Sequence, residues 1–276
     1  MSSLHQYRNV IGNTGIGVSP LGLGTVKLGR NQGVKYPTHF DLPTDREAAN
    51  LIAQARDLGI NLIDTAPAYG SSEERLGPLL KGQRDQWIIC SKVGEEFDSG
   101  ESSFDFSAAH TIHSVERSLR RLHTDMIDLV LVHSDGNDLD ILKNGESFEA
   151  LSRLKRDGKI RAFGMSTKTI EGGLLAAEQS DCVMVTYNLG HQQERPVLDF
   201  VRQHGKGVFI KKALASGHIA AEHFQNIQTD PIQASMDFLF ADEAVSSAII
   251  GTITPAHLAA NCDKALRSLG KRNKPK

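Results

Sequence analysis

The chain has 276 residues, of which 39% are hydrophobic and 23% are charged, and its formal net charge at pH 7 is −2. This composition is ordinary for a globular protein. The near-neutral charge gives no electrostatic basis for binding nucleic acid or an anionic membrane, and no apolar run is long enough to span a bilayer. We therefore expect one large domain over residues 1–276, without nucleic-acid or membrane partners.

The cysteines indicate the compartment. Cys90, Cys182 and Cys262 lie far apart and form no Cys-x-x-Cys motif, and the first two sit in or beside apolar runs, which favours buried free thiols. The first residues, MSSLHQYRNV, lack the apolar segment of a secretory signal. A reducing environment fits both observations, and we expect a cytoplasmic protein.

The first forty residues predict two special elements. YRNVIGNTGIGVS at residues 7–19 is typical of two short strands around a Gly-Asn turn, a hairpin that would close the floor of a barrel. Residues 26–43 contain Gly, Pro and polar side chains without periodicity. A connection of this length indicates an active-site flap.

Apolar runs and amphipathic stretches then alternate along the chain. Predicted strands, each a short apolar run of the kind buried on both faces, occupy residues 21–25, 60–65, 87–92, 126–133, 160–166, 182–188, 207–213 and 246–252. Predicted helices, recognised by helical spacing of apolar residues, occupy residues 44–58, 107–123, 146–157, 169–178, 196–204, 230–241 and 254–268. Thr44 and Glu47 are placed to form a capping box at the start of the first helix.

The number of these units predicts the fold class. Strand and helix alternate eight times at ~34 residues per unit, the length that a βαβ unit needs. Eight units favour an α/β fold of the closed (β/α)8 TIM-barrel type. An open, doubly wound sheet is the alternative.

Polar side chains end three consecutive predicted strands. Asp64 ends the second strand and Tyr69 follows in the next loop, Lys92 ends the third strand, and His133 ends the fourth. Each residue alone has an ordinary structural explanation. Because the active site of such a barrel lies at the carboxyl ends of its strands, all four should share one mouth, and together they indicate catalysis.

The four side chains can act together as a general acid and the groups that position it and adjust its pKa. A tyrosine has a pKa of about 10, and an ammonium ~4 Å away interacts with a phenolate by roughly 4 kcal/mol at an effective dielectric near 20. That attraction would lower the pKa of Tyr69 to about 7 and make it an effective general acid. Asp64 would hold Lys92 in place, and His133 would orient the substrate oxygen.

A proton donor of this kind needs a hydride source, because the sequence offers no other chemistry. HTIH at residues 110–113 lacks a third metal ligand, so we expect no metal site. No Gly-x-Ser-x-Gly elbow or P-loop is present, and GLGTVK at 22–27 lacks the last glycine of a dinucleotide fingerprint.

Specific segments of the sequence resemble the aldo-keto reductases, in particular the branch that contains sugar dehydrogenases and reductases. They include TGIGVSPLGLGT, GINLIDTAPAYGSSEERLG, SKVG, SVERSLRRLHTDMIDLVLVH and LKRDGKIRAFGMS, and the likeness runs over residues 7–268. The resemblance implies a (β/α)8 barrel that binds a nicotinamide dinucleotide without a Rossmann fold and reduces aldehydes and ketones. The family's catalytic tetrad falls on Asp64, Tyr69, Lys92 and His133.

The resemblance also implies cofactor contacts. Ser166 matches the serine that holds the nicotinamide carboxamide, whereas Thr167 replaces the usual asparagine, Met184 the usual glutamine, and Lys211 the aromatic that stacks on the ring in many members. The remaining implied cofactor contacts are Thr25, then Leu214, Ser216 and Gly217 along the pyrophosphate, and Gly251, Thr252, His257 and Asn261 around the adenosine.

Cofactor preference, substrate and assembly follow only as expectations from the same resemblance. Gly251 and His257 stand where the family often has Lys and Arg, so we expect NADP(H) with appreciable use of NAD(H). Lys27, Phe97 and the long first loop would line an open pocket for aldoses, short aldehydes or polar cyclic ketones. The departures at Met184 and Lys211 resemble sugar-oxidising members, which makes oxidation a candidate direction. Such proteins are monomers or small homo-oligomers.

Two alternatives from other classes stay open on the sequence. The first is a regulatory subunit that binds the cofactor and senses redox state. The second is a Schiff-base lyase, because a strand-end lysine such as Lys92 can act as a covalent nucleophile. That scheme has no need for Tyr69 beside a charge-paired lysine.

Overall fold

The computed structural model describes residues 3–34, 36–217 and 230–272. Its strands, numbered in chain order, are β1 (Asn9–Val10), β2 (Gly17–Val18), β3 (Leu21–Gly24), β4 (Leu62–Asp64), β5 (Ile88–Val93), β6 (Glu95–Asp98), β7 (Glu101–Phe104), β8 (Ile127–His133), β9 (Ile160–Ser166), β10 (Cys182–Thr186), β11 (Gly207–Lys211) and β12 (Ser247–Ile250). The helices are α1 (Val26–Gly29), α2 (Asp45–Asp57), α3 (Ser72–Leu79), α4 (Ala108–Arg121), α5 (Asp138–Asn144), α6 (Ser147–Arg156), α7 (Ile170–Gln179), α8 (Arg195–Gln203), α9 (Pro231–Phe240) and α10 (Pro255–Arg272).

Eight parallel strands close into a barrel in the order β3-β4-β5-β8-β9-β10-β11-β12. The register is parallel throughout, with Asp64 opposite Cys90 and His133 opposite Ser166. The (β/α)8 prediction is confirmed and the open-sheet alternative is wrong. All eight predicted strands are present because each is an apolar run that the surrounding helices bury on one face and the barrel interior buries on the other.

The predicted N-terminal hairpin is also present. β1 and β2 pair antiparallel, with Asn9 opposite Val18. Ile11 and Ile16 of this hairpin belong to the same buried cluster as Leu62 and Phe209 of the barrel strands. The hairpin therefore covers the end of the barrel opposite to the carboxyl ends of its strands.

The helices pack on the outside through the apolar faces that their spacing predicts. In α2 the buried residues include Leu51 and Ile52, and the capping box of Thr44 and Glu47 forms as expected. All three cysteines are free and buried, which confirms their prediction as core thiols.

The described part of the chain was compared with the requirements of a membrane span and of a metal site. It contains no helix that is long and apolar enough to cross a membrane. It also contains no cluster of three or more His, Cys, Asp or Glu side chains that could hold a metal ion.

Candidate active site

A buried ion pair forms the centre of the site. Lys92 Nζ donates to Asp64 Oδ1 at 2.6 Å and to the carbonyl oxygen of Thr65 at 2.9 Å. The side chains of the pair are only 1% and 5% exposed. Tyr69 completes the cluster, because its hydroxyl donates to Asp64 Oδ2 at 3.3 Å and its ring centroid lies 4.6 Å from Lys92 Nζ. The structure thus brings three of the predicted catalytic residues into contact.

Strand register and one tight turn produce this arrangement. Asp64 lies opposite Cys90 on the neighbouring strand, so Lys92 follows two residues later on the same face. Tyr69 returns to the site through a 3-10 turn that ends at Gly70. Gly70 has φ +61°, and a Cβ there would lie 2.2 Å from the carbonyl oxygen of Gly29, so a side chain is excluded.

Thr25 supports the cluster from the neighbouring strand. Its hydroxyl donates to the backbone oxygen of Asp64 at 2.9 Å and accepts from Ser72 Oγ at 2.8 Å. The side chain is fully buried and its hydroxyl is engaged by protein groups. The predicted contact of Thr25 with a cofactor stays a prediction, whereas its contact with the Asp64 backbone is direct.

The electrostatics of Tyr69 differ from the sequence expectation. Burial raises the pKa of the Tyr69 hydroxyl and the Asp64 carboxylate raises it further, and together they outweigh the lowering by Lys92. The prediction of a pKa lowered to about 7 is therefore wrong. The sequence expectation left out two effects: the burial of the phenol, which is the larger, and the direct pairing of Lys92 with Asp64, so that the phenol faces a neutralised pair rather than a free ammonium. Tyr69 keeps its proton at neutral pH, which is the form of a general acid.

Lys92 keeps its charge despite its position. Burial opposes the ammonium, but Asp64 and the other groups around it prevail and raise the pKa of Lys92. An ion pair out of contact with water depends on such mutual compensation, because either charge alone would be costly.

His133 joins the cluster from the end of β8. Its ring meets that of Tyr69 edge-on, with centroids 6.4 Å apart. Nδ1 of the ring lies 2.6 Å from Oε2 of Glu95, a residue that the sequence reasoning missed. Burial lowers the pKa of His133 more than Glu95 raises it, so the imidazole is neutral at pH 7.

Lys211 and Ser166 face each other on the opposite side of the barrel mouth. Lys211 Nζ donates to Ser166 Oγ at 2.9 Å and to the carbonyl oxygen of Thr167 at 2.6 Å. Burial lowers the pKa of Lys211 to about 7. The hydroxyl of Thr167 is buried without a hydrogen-bond partner among the described residues and lies near Gly173 of α7. Only the backbone of Thr167 therefore takes part in this polar cluster.

The predicted phosphate-binding segments follow β11 and β12. Between Leu214 and Gly217 the backbone turns left-handed, with φ +55° at Ser216 and +85° at Gly217. A succession of such residues is typical of a backbone concavity that binds anions.

The segment after β12 carries the predicted adenosine contacts. Gly251 and His257 are exposed, Asn261 is buried, and Thr252 Oγ1 accepts from the amide of Thr254 at 3.1 Å. The hydroxyl of Tyr36 lies 3.2 Å from the position of a Cβ on Gly251. The long first loop therefore reaches the same side of the barrel mouth, as the flap prediction requires.

Cations stacked on aromatic rings form the rim of the mouth. Lys27 Nζ lies 4.1 Å from the ring centroid of Tyr36 and 4.7 Å from that of Phe40. The Arg30 guanidinium lies 3.4 Å from the ring centroid of Phe97. Each of these cations is attracted to the face of its ring, which holds the side chains of the rim together.

Comparison with known proteins agrees with this geometry. A sequence model of the Aldo/keto reductase family matches residues 20–231. The chain belongs to this family. An aldo-keto reductase from Bacillus subtilis, YhdN, is 34% identical over 214 residues, which cover 75% of this chain and 62% of that protein. The L-galactose dehydrogenase of Arabidopsis thaliana is 30% identical over 223 residues, covering 75% and 65%.

A solved structure extends the likeness over nearly the whole chain. A crystal structure from Pseudomonas aeruginosa, assigned to the aldo-keto reductases, has 57% sequence identity and a TM-score of 0.87, and the match covers 97% of both chains. By contrast, the matches to YhdN and to the L-galactose dehydrogenase cover less than two-thirds of those relatives' own lengths.

Proposed function

We propose that the protein is a nicotinamide-dinucleotide-dependent oxidoreductase that interconverts an aldehyde or ketone and its alcohol, or an aldose and its lactone. The observation that carries the proposal is the buried cluster of Asp64, Lys92 and Tyr69 with His133 beside it, at the carboxyl ends of consecutive barrel strands. Relatives that are oxidoreductases by name, one of them a sugar dehydrogenase, support the same conclusion.

In the proposed reduction, Tyr69 protonates the substrate oxygen. A bound dihydronicotinamide would supply the hydride to the carbonyl carbon. The oxygen then gains negative charge beside a phenol that is still protonated, because burial and Asp64 keep its pKa high. Lys92 stabilises the phenolate that remains, since its ammonium lies 4.6 Å from the centroid of the Tyr69 ring.

The residues at the mouth fit the proposed cofactor. Ser166 Oγ accepts from Lys211, so its own hydrogen is free to donate to a carboxamide oxygen. The left-handed backbone at Ser216 and Gly217 suits a pyrophosphate. These groups occupy the arc from β9 to β12, and the catalytic cluster occupies the arc from β4 to β8, so the two sets face each other across the mouth.

The same residues support use of both dinucleotides. Gly251 has no side chain and His257 is an exposed imidazole, so neither position offers the fixed charge that binds a 2′-phosphate tightly. We propose NADP(H) as the favoured cofactor with NAD(H) also used. A ratio of kcat/KM above about 10³ in favour of NADPH would contradict this assignment.

The rim favours small, polar substrates such as aldoses and short aldehydes. Lys27, Arg30 and Glu95 place both signs of charge around the mouth, alongside the aromatic rings that stack on them. This mixture of aromatic rings and polar groups is suited to sugars, because their hydroxyls need hydrogen-bond donors and acceptors. The name of the Arabidopsis relative fits this substrate class.

The charge state of Lys92 weighs against the Schiff-base alternative. A covalent lysine must lose its proton to attack a carbonyl, and a desolvated, unpaired amine does so readily. Lys92 instead is paired with Asp64 at 2.6 Å, which raises its pKa.

The test is a panel of sugars, short aldehydes and cyclic ketones assayed in both directions with each dinucleotide. The proposal predicts substrate-dependent change in dihydronicotinamide absorbance for at least one small polar substrate. Tight binding of a dinucleotide with no turnover of any substrate would favour the regulatory alternative. Substrate trapped on Lys92 by borohydride would overturn the proposal in favour of a lyase.

A further inference from the structure

Arg30 follows helix α1, and its guanidinium donates to backbone oxygens through each of its nitrogen atoms. Nε donates to Gln32 at 2.9 Å and Nη2 to Gly33 at 3.1 Å, and both bonds hold the start of the first loop. Nη1 donates to the carbonyl oxygen of Ala68 at 2.9 Å, in the turn that carries Tyr69. Because the N–H groups of a guanidinium form a rigid planar fork, Arg30 fixes the loop and the turn relative to each other.

The backbone of helix α1 also packs against the Tyr69 turn. A Cβ on Gly29 would clash with the carbonyl oxygen of Tyr69 and the amide nitrogen of Ser72, so a side chain is excluded there. The Ala68 carbonyl belongs to the peptide group that leads into Tyr69. Arg30 therefore holds the residue before the tyrosine, and Gly29 contacts the residues that follow.

The β6–β7 hairpin holds the guanidinium in place. Its central carbon Cζ lies 3.4 Å from the ring centroid of Phe97. Nη1 lies 3.9 Å from Oε1 of Glu95, and the two side chains are 12% and 13% exposed. Stacking on a ring beside a carboxylate fixes the plane of an arginine. One side chain thus connects the hairpin with the Tyr69 turn.

The charge of Arg30 also acts on Tyr69. Burial lowers the pKa of Arg30, whereas the charges of Glu95 and Tyr69 oppose that shift. An attraction between two groups is mutual, so the Arg30 cation favours the phenolate form of Tyr69. The charged and titratable groups around the phenol are Asp64 on β4, Lys92 on β5, Tyr36 on the first loop, His133 on β8 and Arg30.

We propose that Arg30 is a positioning residue for proton transfer by Tyr69: it holds the turn that carries the phenol, and its charge favours the phenolate that proton donation leaves. This role rests on the proposed function. In the reduction the phenolic O–H bond breaks, its electron pair stays on the oxygen of Tyr69, and the proton forms the hydroxyl of the alcohol. Arg30 itself exchanges no proton, because a guanidinium keeps its charge at every working pH.

Two variants separate the fork from the charge. Arg30→Lys keeps the charge and loses the fork, whereas Arg30→Met loses both. At saturating dinucleotide, kcat/KM for the substrate should fall about tenfold in Arg30→Lys and about tenfold further in Arg30→Met, while the dissociation constants of the dinucleotides stay unchanged. Because a side chain does not change the equilibrium of the reaction, the loss should be equal in both directions at a fixed pH.

Arg46→Met, at an exposed arginine of helix α2, is the matched control and should keep the wild-type kcat/KM. A wild-type value in Arg30→Lys would overturn the role of the fork, and this variant decides that point alone if Arg30→Met does not fold. Equal values in Arg30→Lys and Arg30→Met would overturn the role of the charge.

Rescue by guanidinium separates this role from a general loss of structure. Arg30→Ala removes the guanidinium between the Ala68 carbonyl and the Phe97 ring, so millimolar guanidinium chloride should restore part of the lost kcat/KM. Sodium chloride at the same concentration should not. Guanidinium weakens folded proteins, so a variant that had only lost structure would lose activity further. No gain over sodium chloride would overturn the proposal.

NMR signals of the tyrosine rings test the hold on Tyr69 without turnover. The chain has four tyrosines, so ¹³C-labelled ring signals are assigned with Tyr69→Phe. The Tyr69 signal should shift in Arg30→Lys and Arg30→Met and stay in place in Arg46→Met. An unmoved signal in both Arg30 variants would overturn the positioning role. A shifted signal in a protein that turns over no substrate would refute the proposed function and leave the contact of Arg30 with the turn standing.

Discussion

Lys211 Nζ lies 2.9 Å from Ser166 Oγ and joins two strand ends of the proposed cofactor side. The oxidised nicotinamide ring is a cation and the reduced ring is neutral, so at the proposed cofactor site a charged Lys211 would disfavour the oxidised form. Burial lowers the pKa of Lys211 to about 7, so the ammonium is present below that pH and lost above it.

Lys211→Met should therefore tighten binding of the oxidised dinucleotide relative to the reduced one by about tenfold at pH 6, with a smaller change at pH 8.5. Fluorescence titration of both forms measures the ratio of the two dissociation constants. Lys212→Met is the matched control at pH 6, because that neighbour is exposed and the loss of its charge, which helps to lower the pKa of Lys211, leaves Lys211 charged at this pH. If Lys211→Met changed the dissociation constants of the oxidised and reduced dinucleotides by the same factor at both pH values, the charge of the lysine would have no effect on the ring.

Substitutions of Asp64 and Lys92, which form a buried ion pair, should have strongly coupled effects on the free energy of unfolding. Lys92→Met and Asp64→Asn each leave a buried partner without its counter-charge, and each should lower the free energy of unfolding by about 3–5 kcal/mol. In the double variant the free energy of unfolding should fall by clearly less than the sum of the two single decreases. Urea unfolding of the four proteins gives the coupling energy, and simple additivity would show that the pair is not energetically linked.

The exposed position of His257 offers a direct test of cofactor preference. His257→Arg adds a bidentate donor where the family often has arginine, and should raise the kcat/KM ratio of NADPH to NADH at least about tenfold. His257→Ala should change the ratio little, because an imidazole cannot make the bidentate contact with a phosphate that a guanidinium makes. If the arginine variant kept the wild-type ratio, this segment would not contact the 2′-phosphate.

Glu95 should contribute stability that depends on pH. Its pKa falls from 4.5 to about 2 on folding, so its contribution is complete above about pH 4.5 and is lost as the pH falls through 2. The free energy of unfolding of Glu95→Gln should lie below that of the wild type at pH 6, and the difference should shrink between pH 4.5 and 2. A difference that is constant with pH would mean that the carboxylate charge plays no part.

The barrel was predictable from the sequence because its strands are apolar runs with clear ends. Residues 127–133 and 160–166, for example, are buried almost throughout, and no competing pattern obscures them. The grouping of the candidate catalytic residues at one end of the barrel was predictable for the same reason, since a polar residue that ends a buried strand stands out.

The elements that the sequence did not predict are short or lack periodicity. Helix α3 contains Gly77 and Pro78, both unfavourable in a helix, and forms because tertiary packing buries residues such as Leu76. The β6–β7 hairpin is largely exposed and carries few apolar residues, so period-two alternation gives no signal. Glu95 was missed with that hairpin, although a carboxylate just after the strand end at Lys92 was a usable clue.

The pKa of Tyr69 could not be derived from residue types alone. The sequence shows that a lysine and a phenol share the mouth, but the 2.6 Å contact of Lys92 with Asp64 decides how much of its charge reaches Tyr69. Distances between side chains on different strands are set by register and packing, which only the structure supplies.

The most direct test of the account is Tyr69→Phe, which removes the hydroxyl and keeps the ring. We expect kcat to fall at least about 100-fold, the contribution of a positioned general acid, with the dissociation constants of the dinucleotides unchanged. Turnover by Tyr69→Phe at the wild-type rate would contradict the assignment of Tyr69 as the proton donor.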